Sequence, residues 1–193
     1  MPRPKSFDPD TVLAKAMGVF WEKGYDAASI TDLTAAMGIN RFSLYDTFGD
    51  KHTLYLKALD FYNERFVEPM IEKINEINTM AGIEEFFNEL IDYQNSCSGK
   101  TCCMMQKASV SMALDDPGAK ERVECARGRI HAAFHDALKR VRTSGKLRAD
   151  LDLNDTAWLM LIVQGGLISF ASSPIPAEAA RSAIANLLSD LKA

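Results

Sequence analysis

Apolar side chains along this chain recur every three to four residues, in blocks punctuated by glycine, proline and capping residues, and that period is helical. The first block puts Val12, Ala16, Val19 and Phe20 on one stripe. Asp8 precedes it as an N-cap, Pro9 takes the first helical position and Lys23-Gly24 closes it. Phe7 and Val12 have hydrophobic-staple spacing. A second block has Ser29 as its cap, Asp32 as the acidic half of a capping box, and Ile30, Leu33 and Met37 as its apolar face. Gly38 can take the left-handed conformation that stops it, and Ile39 packs the turn. Asn40 then caps a third block with Leu44 and Phe48 inward; Gly49 ends it, and Asp50 caps the next.

The rest of the chain keeps the helical period. A long helix is predicted from Asp50 toward Asn75, bent before Pro69. Leu54, Ala58, Phe61, Tyr62 and Phe66 form its packed side, with Lys51, Tyr55 and Lys57 near its first turns. Residues 83–95 form a further helix with Phe86, Phe87, Leu90 and Tyr93 inward. After a loop at 96–101, a helix is expected over 102–114, and a turn at Asp115-Asp116-Pro117-Gly118. Helices follow over 119–143, from Asn154 or Asp155 through Leu167, and over 177–191, with a break at Pro174-Ile175-Pro176. No stretch alternates as a strand would, and no internal repeat is present. The predicted fold class is all-α.

Two short helices around a tight turn, followed by a longer helix, are the geometry of a helix-turn-helix DNA reader. Arg41, Phe42, Ser43, Tyr45 and Asp46 are left to face outward or along the rim of the second short helix. An ordinary helical hairpin in an all-helical core is the plainer alternative, but such an outward set on so short a helix is unusual for packing alone.

The order Gly24-Tyr25, Ser29-Ile30, Asp32-Leu33, Gly38-Ile39, Ser43-Leu44-Tyr45, Phe48 and Lys51 resembles the N-terminal domain of TetR-type transcriptional regulators, over residues 7–55. The remaining chain matches that family in length and helical pattern. Two positions depart from it: Thr34 stands where alanine is frequent, and Phe42 where a small residue is common at the tip of the reading helix. The resemblance implies a three-helix DNA-binding domain over residues 1–52, joined to a helical effector-binding and dimerisation domain over 53–193. It implies that the linking helix is the switch, and that the last two helices pair with those of a second copy. The corresponding stripes are Ala157, Leu161, Gly165 and Ile168, and Ala180, Ile184, Leu187, Leu188 and Leu191. Both stripes could instead be buried within one chain. It implies phosphate contacts for Tyr45 and Lys51. Arg3-Pro4-Lys5 is either a minor-groove arm of the kind that family carries or a solubilising tail.

Composition modifies this picture. With 193 residues, 47% hydrophobic and 25% charged, the chain can build a core and is not compositionally disordered. Its net charge is −4, which taken alone argues against nucleic acid as a partner. Even in the first fifty-one residues, Arg3, Lys5, Lys15, Lys23, Arg41 and Lys51 are offset by Asp8, Asp10, Glu22, Asp26, Asp32, Asp46 and Asp50. DNA binding must therefore rest on locally placed cations rather than a global field. The longest apolar run, near 157–163, is short of membrane length, and residues 1–10 are polar rather than signal-like. A cytoplasmic protein without a membrane partner is expected.

The candidate chemistry falls into three groups. In the DNA-reading group, Arg41 is suited to bidentate reading of guanine and Phe42 to a thymine methyl, with Ser43 adding base or sugar contacts. Ser29 and Thr31 can donate to phosphate from a helix N-terminus, and Tyr45 and Lys51 complete the set. Asp46 would repel phosphate unless turned away or accepting from a cytosine amine. The second group is cysteine. Cys97, Cys102, Cys103 and Cys125 sit in a reducing compartment, where a structural disulfide is not expected. Cys102 and Cys103, at a loop-to-helix junction, are candidate redox or electrophile sensors, a placement similar to that of some TetR-like regulators; the plainer reading is small buried side chains. His131 and His135 stand at i, i+4, but no acidic partner motif accompanies them, and neither metal nor cofactor is expected. An effector pocket is assigned to Phe66, Met70, Phe86, Tyr93, Met104, His131, Phe134 and Trp158, which could equally be plain core.

The function expected is a homodimeric, DNA-binding transcriptional regulator, a repressor released from double-stranded operator DNA by an unknown small-molecule effector. A cysteine-based sensor of the same fold and a helical interaction module without DNA binding are the alternatives. An enzyme is disfavoured, because Cys102 with His131 or His135 is the sole thinkable nucleophile–base pair and no motif supports it.

Overall fold

The computed structural model describes residues 7–96, 103–170 and 175–193. The Arg3-Pro4-Lys5 arm, Cys97, Cys102 and Pro174 lie outside the described residues. Among those described, the chain folds into helices alone, apart from one isolated antiparallel bridge between Leu147 and Lys192. It divides into two compact units, residues 1–66 with 104–123, and residues 67–103 with 124–193.

The first unit opens with α1 (Pro9–Lys23), α2 (Ile30–Met37), α3 (Arg41–Phe48) and α4 (Lys51–Tyr62). Their starts are set by side-chain caps. Asp8 accepts from the amide of Thr11 at 3.0 Å, Asn40 from Ser43 at 2.8 Å and Asp50 from Thr53 at 2.7 Å. Ser29 and Asp32 close a reciprocal capping box. Each such cap satisfies a first-turn amide that has no partner within its helix. Gly38 ends α2 in the left-handed conformation, φ +70° and ψ +28°, which only glycine adopts at little cost. The core is Val12, Ala16 and Phe20 of α1, Leu33 and Met37 of α2, Leu44 and Phe48 of α3, and Leu54, Tyr55, Ala58 and Leu59 of α4. Burying side chains as large as Leu44 and Phe48 is worth about 1.5–3 kcal/mol each. Val19 is only half-buried, and Met17 takes its place in the core.

The expected long helix is interrupted. A π-helical turn covers Asn63–Val67, and α5 (Glu68–Glu76) follows. Pro69 lies in the first turn of α5, where it lacks an N–H and its ring would strike the carbonyl four residues back; a wider turn relieves this. Tyr55, expected near the head of this helix, is instead part of the core, while Phe61 is half-buried.

The expected helix over 102–114 is also broken, into α7 (Met104–Ser109) and a short 3-10 turn, Met112–Leu114. Ser109 and Ser111 turn their hydroxyls back onto the carbonyls of Gln106 and Lys107, at 2.7 and 2.8 Å. Such local bonds compete with helix propagation. α8 (Pro117–Thr143) starts two residues earlier than predicted. Asp116 is its cap, accepting from Ala119 at 2.7 Å, with Pro117 next to it, the same signature as Asp8-Pro9.

The second unit holds α5, α6 (Met80–Ser96), most of α8, α9 (Leu153–Ser169) and α10 (Ala177–Leu191). α6 begins earlier than its apolar stripe, because the Thr79 hydroxyl accepts from the amide of Gly82 at 3.0 Å. α9 starts behind Asp152, which accepts from Asp155 at 3.0 Å. α6 packs against α5, α9 and α10. Ile83, Phe87 and Ile91 of α6 meet a core that includes Phe134, Leu138 and Val141 of α8, Met160 of α9, and Ile184 and Leu188 of α10. Arg140 ties this unit by donating at the end of α5 to the carbonyl of Ile77, at 2.8 Å, and to that of Ile74, at 3.2 Å, which also accepts from the amide of Ile77. Two expectations fail here. Tyr93 faces solvent, 51% exposed, and Gln94 takes the inward position beside it. Ala180, Ile184, Leu188 and Leu191 are buried within their own chain and Leu187 is half-buried, so most of the α10 stripe faces its own core rather than outward.

Candidate nucleic-acid interface

α3 is two turns long and is held from behind. Leu44 and Phe48 anchor its inner face, and Asn40 fixes its first turn. This leaves Arg41, Phe42, Tyr45 and Asp46 exposed, with Ser43 half-buried. Phe42 is 79% exposed, an apolar ring held in water beside the exposed Arg41. Arg41 and Tyr45 stand at i, i+4 and pre-order one another. The guanidinium donates to the Tyr45 hydroxyl at 3.3 Å and lies 5.6 Å from its ring centre.

Aromatic rings also carry the neighbouring cations. The Lys51 ammonium sits 4.4 Å from the centre of the Tyr25 ring, and Lys57 sits 5.9 Å from that of Phe48. Tyr25 in turn packs on Tyr55 at 5.0 Å, and Tyr55 on Phe20 at 5.1 Å. Burial pushes the Tyr55 phenol up to about 12, so it stays neutral. Burial, and then the negative charge of Asp50, also raises Tyr25.

At the start of α2, Thr31 is exposed, but Ser29 is committed. Its hydroxyl donates to Asp32 at 2.7 Å, and a phosphate would have to compete for that proton. Asp32 also takes the Lys23 ammonium at 2.7 Å. That hydrogen bond, followed by the two from Ser29, holds the Asp32 carboxyl well below the usual carboxylate range.

The remaining candidate residues separate. In the first unit, Met104 is buried, while Phe66 is 40% exposed and stacks on Tyr62 at 4.8 Å, edge-on to Trp21 at 5.3 Å. In the second, Phe86 and Phe134 join Phe87 in one aromatic core, with centres 5.6 Å apart. Met70 is half-buried and accepts a bond from Gln164. His131 stacks on Trp158 at 4.1 Å and on His135 at 6.3 Å. Trp158 is 39% exposed, so that stack is a surface feature rather than part of the aromatic core. Cys103 is half-buried immediately before α7, and Cys125 is exposed on α8. Among the described residues no three His, Cys, Asp or Glu side chains converge as metal ligands, and no helix is long and apolar enough to cross a membrane.

Several contacts escaped the sequence reading. Lys107 reaches back 86 positions to donate to the carbonyls of Trp21 and Glu22, at 3.0 and 2.8 Å, capping the end of α1. Arg122 grips Asp60 with Nε at 2.7 Å and Nη2 at 2.9 Å, and His52 meets Asp116 at 2.7 Å. Separations of 62 to 86 positions leave no local pattern to detect. Tyr25 did have a signal, since Gly24-Tyr25 belongs to the recognised motif, but its role under Lys51 needed the fold.

Comparison with known proteins agrees with this geometry. The family profile described as bacterial regulatory proteins, tetR family, matches residues 12–58. The uncharacterized HTH-type transcriptional regulator YezE of Bacillus subtilis (strain 168) is 30% identical over 159 residues, 81% of this chain and 82% of its own. The HTH-type transcriptional repressor ComR of Escherichia coli (strain K12) is 27% identical over 170 residues, 86% of this chain and 81% of its own. Among solved structures, a cysteine mutant of the TetR family transcriptional regulator CifR, complexed with 26-bp double-strand operator DNA, superposes with a TM-score of 0.81. It is 28% identical and covers 97% of this chain and 98% of its own.

Proposed function

This chain belongs to the TetR family of DNA-binding transcriptional regulators, and from that premise we propose that it is a homodimeric repressor released from its operator by a small effector. The observation that carries the reading is the outward pair at the start of α3. Arg41 and Phe42 are exposed on a helix that is capped and anchored from behind. Arg41 reads guanine through its two parallel N–H donors, Phe42 meets a thymine methyl, and Thr31, Tyr45 and Lys51 take phosphates. Operator complexes of CifR and the repressor name of ComR support the same direction. The functional division is a reading head over 1–52 and an effector and dimerisation domain over 53–193. The protein acts in the cytoplasm, where its DNA is.

Dimerisation is supported by α9. Trp158 and Ile162, the latter 64% exposed, keep apolar surface outward. A Cβ built at Gly165 or Gly166 meets nothing within 4 Å, so a second helix can approach closely there. Two reading heads then address half-sites about one DNA turn apart. Effector binding acts by favouring a state whose heads no longer match that spacing, with a coupling of about 1–3 kcal/mol.

The test is selection from random-sequence duplexes, followed by anisotropy titration on the selected site. The expected result is a pseudo-palindrome, bound with steep salt dependence and lost in Arg41→Ala. Selection that returns no sequence, with no salt-sensitive binding, would overturn the reading in favour of an interaction module.

A further inference from the structure

The described residues include three buried polar side chains, Gln94, Thr156 and Gln164, and all belong to α6 and α9, which pack together. Thr156 is satisfied, donating to the carbonyl of Asp152 at 2.6 Å. Gln164 has a soft partner, its Nε2 donating to the Met70 sulfur at 3.4 Å. Gln94 is 2% exposed, and neither its Oε1 nor its Nε2 has any partner. A whole amide sealed in a protein interior without a hydrogen bond is costly and calls for a reason.

The helix register brings these groups to one level. α5 and α6 form an antiparallel hairpin in which Lys73 pairs with Glu89 at 2.5 Å. Counting three residues back from Lys73 and three on from Glu89 puts Met70 near the level of Asp92, two residues along α6 from Gln94. Gln164 is bonded to that same Met70. Below Gln94 on the inward face of α6 come Ile91 and Phe87, and Phe87 stacks with Phe134 at 6.2 Å. These neighbours are apolar, and no Asp, Glu, His, Lys or Arg side chain is buried among the described residues.

We propose that Gln94 and Gln164 are the polar recognition pair of the effector site, and that the effector is an uncharged molecule with an apolar body and one amide-like edge. This inference rests on the effector-released repressor reading. An amide offers a donor and an acceptor side by side, and its best complement is another donor–acceptor edge. A carboxylate or ammonium ligand would enter an interior without a counter-charge, which burial penalises heavily. Both amides are buried, Gln94 2% and Gln164 6% exposed, so a ligand that reaches them parts α6 from α9. That opening gives the ligand different affinities for two conformations, as release from DNA requires.

The test uses the full chain without DNA, by thermal melting and saturation-transfer NMR. The probes are benzamide, phenylacetamide and caprolactam, with benzoate and phenylacetate as matched anions. At least one amide should bind and raise the melting temperature, while the anions do not. Gln94→Leu should melt at or above wild type and bind that amide at least about tenfold more weakly. Gln164→Leu, a second variant, should weaken it as well. The proposal is overturned if no amide binds, or if Gln94→Leu binds as wild type does. It is also overturned if Gln94→Leu melts well below wild type and no probe binds, the mark of an amide serving the fold through buried water. A parallel operator titration separates the two readings. Amide binding without DNA binding sinks the repressor and keeps the site; DNA binding without amide binding does the reverse.

Discussion

The Lys51 ammonium lies over the Tyr25 ring, 4.4 Å from its centre, so a loop residue holds the first cation of α4 in place. A cation held over a ring loses less freedom when it meets a phosphate than one on a loose stem. Tyr25→Leu should therefore weaken operator binding by about 0.5–1 kcal/mol while leaving sequence preference unchanged. Lys51→Ala should reduce the slope of log affinity against log salt by about one unit. Salt titrations of the two variants check both.

Phe42 should act on sequence rather than on stability. Its ring is 79% exposed, so Phe42→Ala leaves the melting temperature within experimental scatter. Repeating the random-sequence selection with this variant should show relaxed preference at one thymine position per half-site, by about 1–3 kcal/mol.

Gly38→Ala tests the turn. The space beside Gly38 is open, with nothing within 4 Å of an added Cβ, so the cost is conformational alone, from φ +70°. A loss of about 1–2 kcal/mol in denaturant unfolding is expected, with an unchanged slope. A neutral result would mean the turn relaxes out of the left-handed region.

Acid should unfold the head through its caps. Asp8, Asp32 and Asp50 all have carboxyls held below their ordinary value. The leading causes are the hydrogen bonds from Thr11, Lys23 and Thr53 respectively. A lowered folded-state pKa contributes stability that is present above the unfolded value and is lost as pH falls through the folded one. Stability should be flat from neutral pH down to about 4 and then fall. Asp32→Asn should flatten that descent, as followed by circular dichroism.

Lys107→Met should lower the melting temperature, because the carbonyls of Trp21 and Glu22 lose charged donors at 3.0 and 2.8 Å. A cost of about 1–3 kcal/mol is expected for bonds of this kind. A melting temperature equal to wild type would mean that water replaces the ammonium.

What could be read along the chain was whatever depends on neighbours within about one helical turn. The caps Asp8, Ser29, Asn40 and Asp50, the Gly38 stop and the inward Leu44 and Phe48 are all local chemistry, and the structure places each as expected. The outward face of α3 follows from the same periodicity. Local reading failed where two local signals compete. Asp116-Pro117 starts a helix rather than a turn, and the serines at 109 and 111 break one.

Tertiary structure decided the rest. An amphipathic stripe states that a face will be buried, not against what; α10 buries most of its stripe within its own chain, whereas on α9 Ala157 is buried, Leu161, Gly165 and Ile168 are half-buried, and Trp158 and Ile162, outside that stripe, stay outward. Tyr93 and Gln94 are adjacent on α6, and only packing determines that the aromatic ring goes out and the amide goes in. Lys107 on α1, Arg122 on Asp60 and the unpartnered Gln94 are likewise products of the fold. Periodicity sets the angle of a residue around its helix, whereas the partner it meets depends on how distant helices close against one another.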